Sequence, residues 1–274
     1  MTLFANTVIP YIALGIFSGI LPLAFFTTLR HAMLFIMALY PLRYLPTGHV
    51  YIDPEDDCDR VVDALLDTEY SEEFCLARDF EEDFVSRLME AGFLVMSVEL
   101  RDDESPDEPL FILLPKIHLV RSALLFPDLH IKKSVRRFLS PYELKIDTDF
   151  DFILDRCVQI HGSSWLTPPL VELLKSLRTR TGMRTRLVSF GVYRDGELKA
   201  GEVGVVMGRV YTSYSGYYDE DNAGTVQMIK MVQWLDKTGF DFLDLGMPLD
   251  YKTALGARDI SPRQFVELFR KARY

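Results

Sequence analysis

Asp244 closes an alternating apolar stretch, Phe240-Asp241-Phe242-Leu243-Asp244-Leu245, with Gly246 and Pro248 just beyond it. This pattern predicts a buried strand that ends in a carboxylate and a glycine turn, then runs into the small-residue loop Thr253-Ala254-Leu255-Gly256-Ala257. Strand ends beside such turns are where α/β folds keep their chemistry. A carboxylate placed there can take part in that chemistry, or it can satisfy the N–H groups of its own loop. A second cluster is cationic. Lys132, Lys133, Arg136 and Arg137 stand at i, i+1, i+4 and i+5, one face of a helix, which solvation alone would explain. Met228, Met231 and Leu235, at i, i+3 and i+7, form an apolar helix stripe of the kind that usually enters a core. The three cysteines (Cys58, Cys75, Cys157) show no CxxC or Cys/His spacing, so no metal site is expected and a reducing cytoplasm is the economical setting.

Elements must hold these groups in place. Residues 51–110 carry 21 acidic and 4 basic residues, whereas 111–145 carry 7 basic and 2 acidic. The net charge of −10 therefore does not exclude a local basic patch, nor an anionic partner. Thr7 to Phe26 is a charge-free run of membrane-helix length, and Ala32 to Leu42 is also apolar. Pro10, Pro22, Gly15 and Gly19 interrupt the first run, and no basic residue precedes Arg30. A membrane anchor through residues 7–42, a buried helical hairpin and a start further downstream all stay open, with the membrane not favoured. Three regions are expected: an apolar extension over 1–46, a small acidic α/β domain over 47–115, and a larger domain over 116–274.

Helices are predicted over Asp59–Leu66, Glu81–Ala91, Ser134–Phe138, Asp149–Gln159 (Phe152, Ile153 and Cys157 on one face) and Pro168–Arg180. Strands are predicted at Phe93–Leu100, Phe111–Leu114 and Tyr142–Ile146, with an acidic loop over Asp102–Glu108. Arg186–Tyr193, Glu197–Met207 and Arg209–Tyr218 then follow as three strands, the first two joined by an Asp195-Gly196 hairpin. A helix over Thr225–Thr238 leads to the Asp244 strand. The order β-β-β-α-β makes the chain an α+β protein of acetyltransferase-like (GNAT-type) arrangement, a mixed sheet with flanking helices. Such folds hold coenzyme A on a glycine-rich turn before the helix, but here that turn is Asp219-Glu220-Asp221-Asn222-Ala223-Gly224. Three carboxylates and one glycine make a poor pyrophosphate cradle, and another activated acyl donor suits the site better.

From Phe111 to Arg273 the chain resembles the leucyl/phenylalanyl-tRNA–protein transferases. The matching pieces are Leu129-His130-Ile131-Lys132-Lys133-Ser134-Val135-Arg136-Arg137-Phe138, Ser164-Trp165-Leu166-Thr167, Gly208-Arg209-Val210-Tyr211, Tyr214-Ser215, Asn222-Ala223, Leu243-Asp244 and Leu255-Gly256-Ala257 with Ile260, Arg263 and Phe265. They occur in the family's order at nearly its spacing. The resemblance implies transfer of leucine or phenylalanine from tRNA to the N-terminal α-amine of a protein beginning with Lys or Arg, a tag for degradation, with no cofactor. It makes Asp244 and Tyr214 the catalytic candidates, the former toward the amine and the latter toward an oxyanion. It assigns Trp165, Tyr211, Ser213, Met228, Met231 and Leu235 to the aminoacyl pocket, and Lys132, Lys133, Arg136 and Arg137 to the tRNA backbone. The chain departs from the family pattern at Tyr214 (a glutamate there), Gly246 (a glutamine), Tyr251 (a histidine) and around Leu113-Leu114-Pro115-Lys116. A transferase, an acyltransferase with another donor and a non-catalytic tRNA- or protein-binding relative therefore remain distinct expectations.

Overall fold

Asp195 and Gly196, with φ of 55° and 83°, make the tight turn on which the central sheet is hung. The computed structural model describes residues 40–102 and 105–274; the apolar run at 7–26 and most of the second lie outside them. In chain order the elements are β1 (Arg43–Tyr44), β2 (Val50–Tyr51), α1 (Cys58–Asp67), α2 (Glu82–Glu90), β3 (Leu94–Asp102), β4 (Ser105–Lys116), β5 (Arg121–Leu125), α3 (Lys133–Arg136) and β6 (Glu143–Ile146). They continue as α4 (Phe150–His161), α5 (Pro168–Thr179), β7 (Thr185–Arg194), β8 (Glu197–Met207), β9 (Val210–Tyr218), α6 (Ala223–Lys237), β10 (Phe242–Asp244), α7 (Asp250–Ala254), β11 (Arg258–Ile260) and α8 (Pro262–Ala272). Among the described residues no helix is long and apolar enough to cross a membrane.

Seven strands form one sheet in the order β11-β5-β10-β9-β8-β7-β6. Every neighbour pair is antiparallel except β9 and β10, which the crossover helix α6 makes parallel. This is the expected β-β-β-α-β unit, an α+β, acetyltransferase-like mixed sheet with flanking helices. Strand alternation sends Val206 and Tyr211 to the face covered by α6, where they join Met228, Ile229, Met231, Val232 and Leu235 in the core. Gly201 turns the opposite way, toward Ile153 of α4.

Three expectations need correction, and one helix had no counterpart among them. The acidic loop is shorter than predicted, because β4 already begins at Ser105 and pairs back onto β3. Phe152 is 55% exposed rather than on the buried face of α4, where Phe150, Ile153, Leu154 and Cys157 lie instead. The basic helix is a single turn, Lys133–Arg136, with none of its residues buried. Helix α8, not foreseen, is set by a capping box at Ser261 and Gln264 and by Pro262 in its first turn.

Helix α8 also explains the charge asymmetry. Arg263 pairs with Asp67, Arg270 with Asp63 and Asp59, and Arg273 with Asp59. Part of the acidic charge of residues 51–110 is thus neutralised by basic residues some two hundred positions away in sequence. Leu42–Tyr274 form one compact unit, with β3 joined to the rest across the expected boundary near residue 115. Its Ser97 N–H and Val95 N–H donate to the Trp165 carbonyl and the Tyr214 hydroxyl oxygen.

Candidate active site

The sheet opens where β10 ends. Strand β9 pairs with β10 only over Val210–Thr212, and from Ser213 onward it keeps β8 alone as a neighbour. A cleft of about 990 Å³ fills the gap. Its floor comes from Glu202 of β8 and Ser213 to Tyr218 of β9. Its walls come from the start of α6, the Leu245–Leu255 segment, and Leu94, Met96, Lys116 and His118.

A bulge shapes the floor. Val203 pairs with Ser215 and Gly204 with Ser213, so Tyr214 is the extra residue on β9. Tyr214 lines the cleft, while its hydroxyl oxygen accepts from Val95 N–H. Burial pushes the phenol well above its ordinary value, so it stays a proton donor. Position 204 must be glycine, since a Cβ there would collide with the Thr212 carbonyl oxygen and lie 2.5 Å from the Tyr211 ring. Tyr211 lies across that glycine, edge-on to Phe190 at 5.1 Å, fully buried and outside the cleft lining.

Asp244 is 0% exposed, and its carboxylate faces inward. Arg121 of β5, itself 1% exposed, donates from Nε to Oδ1 at 2.8 Å and from Nη2 to Oδ2 at 2.6 Å. Gly246 N–H adds a third bond to Oδ1 at 3.0 Å. Burial alone would raise this carboxyl, but the bidentate guanidinium outweighs it and holds the group below the ordinary range. Arg121 stacks on Phe265 of α8 at 3.9 Å. The pair locks the strand end, and with both oxygens engaged Asp244 does not line the cleft. In this arrangement the carboxylate bonds Arg121 and the N–H of its own Gly246 turn.

The other predicted residues divide the same way. Trp165, Ser213, Met228 and Lys132 line the cleft with Tyr214. Met231 and Leu235 are fully buried core and do not. The start of α6 faces the cleft, and each later residue rises about 1.5 Å along the axis, carrying the rest of the stripe inward. Lys133, Arg136 and Arg137 are exposed beside the cleft rather than in it.

Several lining residues escaped the sequence. Glu202 is 4% exposed, and its Oε1 has no hydrogen-bond partner among the described residues. Burial pushes its carboxyl up to about 7, with Ser213, Tyr211, Gln227 and Lys252 opposing the shift. Lys252 of α7 donates to the Leu245 and Met247 carbonyls at 2.5 and 2.8 Å. Burial pulls this ammonium below its ordinary value. His118 is driven down to about 3 by burial and by the charges of Arg121 and Lys116, so it is a neutral imidazole. Its Nε2 would lie 3.4 Å from a Cβ at Gly246, whose φ of +67° suits glycine. The available signals were a lone Glu in the apolar run Ala200–Met207 and a lone Arg before Ser122-Ala123-Leu124-Leu125.

The cleft in this acetyltransferase-like sheet thus has a carboxylate floor, apolar walls and a cationic rim. The sequence profile of the leucyl/phenylalanyl-tRNA protein transferases matches residues 123–270, more than half of the chain, and the protein belongs to that family. The leucyl/phenylalanyl-tRNA–protein transferase of Pseudomonas putida is 31% identical over 150 residues, covering 53% of this chain and 65% of that protein. That of Campylobacter lari is 25% identical over 190 residues, covering 69% and 84%. The chain thus spans just under two thirds of the Pseudomonas relative. Among solved structures, FemX aligns at a TM-score of 0.41 with 11% identity, over 83% of this chain and 85% of that one. L-PGS from Bacillus licheniformis aligns at 0.40, also with 11% identity, over 85% and 89%.

Proposed function

We propose that the protein is an aminoacyl-tRNA–protein transferase, moving leucine or phenylalanine from tRNA to the N-terminal α-amine of an acceptor protein in the cytoplasm, a mark for degradation. The observation that carries this reading is that the family match runs through β8, β9, α6 and α7, the elements that make the cleft floor and two of its walls. The tRNA ester is already activated, so the protein has to align amine and carbonyl, take up a proton and support an oxyanion. Met228, Trp165, Leu245 and Leu255 offer an apolar seat for the aminoacyl side chain. Tyr214 supplies a protonated hydroxyl at the bulge. Lys132 at the rim, with Lys133, Arg136 and Arg137 beside it, offers charge to the tRNA backbone. Asp244 acts at one remove, fixing the Leu245–Met247 turn through Arg121 and the Gly246 amide. Asp221, exposed at the rim, is the group best placed to meet the cation of an N-terminal Lys or Arg.

The test is labelled leucyl-tRNA offered with peptides beginning in Lys, Arg or Ala. Label on the Lys and Arg peptides, and little on Ala, is the expected result. Tight tRNA binding without transfer to any peptide would instead make the chain a binding relative, consistent with Tyr214 and Gly246 replacing the family's Glu and Gln.

A further inference from the structure

We propose that Glu202 is the proton acceptor of this cleft, the group that takes the proton from the attacking amine and returns it to the leaving ribose oxygen. The inference rests on the transferase reading and names a residue that the family resemblance does not supply.

Its geometry is that of a working group and not of a structural one. Glu202 sits mid-strand in β8, on the face covered by α6, and pairs across the ladder with Gly216. No side chain covers it from that position. Among the described residues, it is the buried carboxylate that lines the cleft; the other lining carboxylate, Asp221, is exposed. Buried carboxylates are normally paired or bonded on every oxygen, as Asp244 is. Glu202 Oε1 and the Tyr211 hydroxyl of β9 are both buried and neither has a partner at full hydrogen-bond geometry, although Ser213, Tyr211 and Gln227 stand close enough to the carboxylate to lower its pKa. A carboxylate that lines the cleft without a fixed partner is an acceptor available to a ligand proton.

Its surroundings set the charge. Ser213 and Tyr211 of β9 and Gln227 of α6 oppose the effect of burial, as does the Lys252 ammonium on α7. Cys157 of α4 and Tyr251 of α7 also feel its charge. Burial pushes both of these up to about 12, and Tyr211 well above its ordinary value, so none of the three titrates near neutrality. The Glu202 carboxyl itself is carried up to about 7, where it is basic enough to accept a proton and still partly ionised.

The step balances without any further reagent. The amine lone pair forms the C–N bond at the ester carbonyl carbon, and the carbonyl electrons move onto oxygen. One proton passes from nitrogen to Glu202. When the carbonyl re-forms, the bond to the ribose oxygen breaks and that oxygen takes the proton from Glu202. The products are an amide and a free tRNA hydroxyl, with Glu202 again a carboxylate.

Single-turnover transfer from leucyl-tRNA to an Arg-initiated peptide tests this across the neutral range. Wild type should gain rate as pH rises through about 7. Glu202→Gln should lose the component near 7, keep only the rise from deprotonation of the peptide amine at about 8, and slow by about 10²-fold or more, with tRNA affinity unchanged. Glu202→Asp should recover part of the rate. Lys252→Met should move the rise to higher pH without abolishing it. Carbon-13 NMR of the wild-type side-chain carboxyls, with Glu202→Asp giving the assignment, should show a group titrating near 7. A Glu202→Gln protein with the wild-type rate and profile overturns the proposal alone. So does a rise near 7 that survives in Glu202→Gln but vanishes in Lys252→Met, or a Glu202 carboxyl that titrates near 4.5. A wild-type protein that binds leucyl-tRNA and transfers nothing overturns the transferase reading, and the proposal with it.

Discussion

Two carboxylates in the same sheet are equally hidden from solvent and meet opposite fates. Asp244, at the closed end where β10 is flanked by β5 and β9, has Arg121 on both oxygens and is held ionised. Glu202, at the open end where β9 has lost β10, has one buried oxygen without a fixed partner, and its pKa is carried up to about 7. Burial raises both pKa values. What separates them is a guanidinium at hydrogen-bond distance, present in one case and replaced by hydroxyls, an amide and a more distant ammonium in the other. A sheet that is closed by a strand can seat its charge as structure; one left open keeps its charge for a ligand.

The contrast breaks most visibly at Asp244. Asp244→Ala leaves Arg121 buried without a counter-charge and should cost about 3–5 kcal/mol in urea unfolding. Arg121→Met combined with Asp244→Leu should regain most of that loss. If the double variant also transfers leucine at the wild-type rate, the Asp244 carboxylate has no part in the chemistry. If the double variant is stable but inert, the closed end is chemical after all.

Glu202→Gln should have the opposite sign. A carboxyl whose folded pKa is raised from 4.5 to about 7 supports the fold fully below 4.5 and loses that support as pH rises through about 7. The Gln variant should therefore match wild type in acid and exceed it by about 3 kcal/mol above neutrality. Unfolding midpoints measured over the acid-to-neutral range check it. Equal midpoints at every pH would mean the carboxyl is not pushed up, and the two ends would be alike.

Along α6 the same division should reappear in smaller form. Met228→Ala, at the open end, should weaken the use of leucyl-tRNA by an amount on the order of 1–3 kcal/mol in kcat/KM. Met231→Ala, in the core, should cost stability instead and leave the relative use of leucyl- and phenylalanyl-tRNA unchanged. A reversal would place the aminoacyl seat deeper than the cleft floor.

The exposed rim should be the mildest for the fold. Replacing Lys132, Lys133, Arg136 and Arg137 by Ala should change folding stability by no more than about 0.5 kcal/mol per site. The slope of log affinity for tRNA against log salt should nonetheless flatten by about 0.7–0.9 for each phosphate that is no longer neutralised. A slope equal to that of wild type would remove this patch from the tRNA path.

Much of the fold was legible because it is local. The alternation in Thr185–Tyr218, the Asp195-Gly196 turn and the apolar stripe of α6 each declare an element within a few residues. The α8 capping box was equally local and was passed over. The strand β5 was harder, because five residues with an Arg at one end carry little periodicity. The length of α3 was not legible, since four cations at helical spacing look the same whether the helix has one turn or three. Trp165, Ser213, Tyr214, Met228 and Lys132 do reach the cleft. Tyr211, Met231 and Leu235 do not, because spacing gives a face of an element but not how far along it the cleft extends.

The sequence by itself determined the α+β order, the family and the set of residues from which a site could be built, since these depend on neighbours along the chain. The tertiary structure alone decided which carboxylate is tied up and which is free. Arg121 reaches Asp244 across 123 positions, and Gly216 leaves Glu202 uncovered through strand pairing. A pKa depends on which charges and how much water lie within a few ångströms, and those distances exist only after the chain has folded.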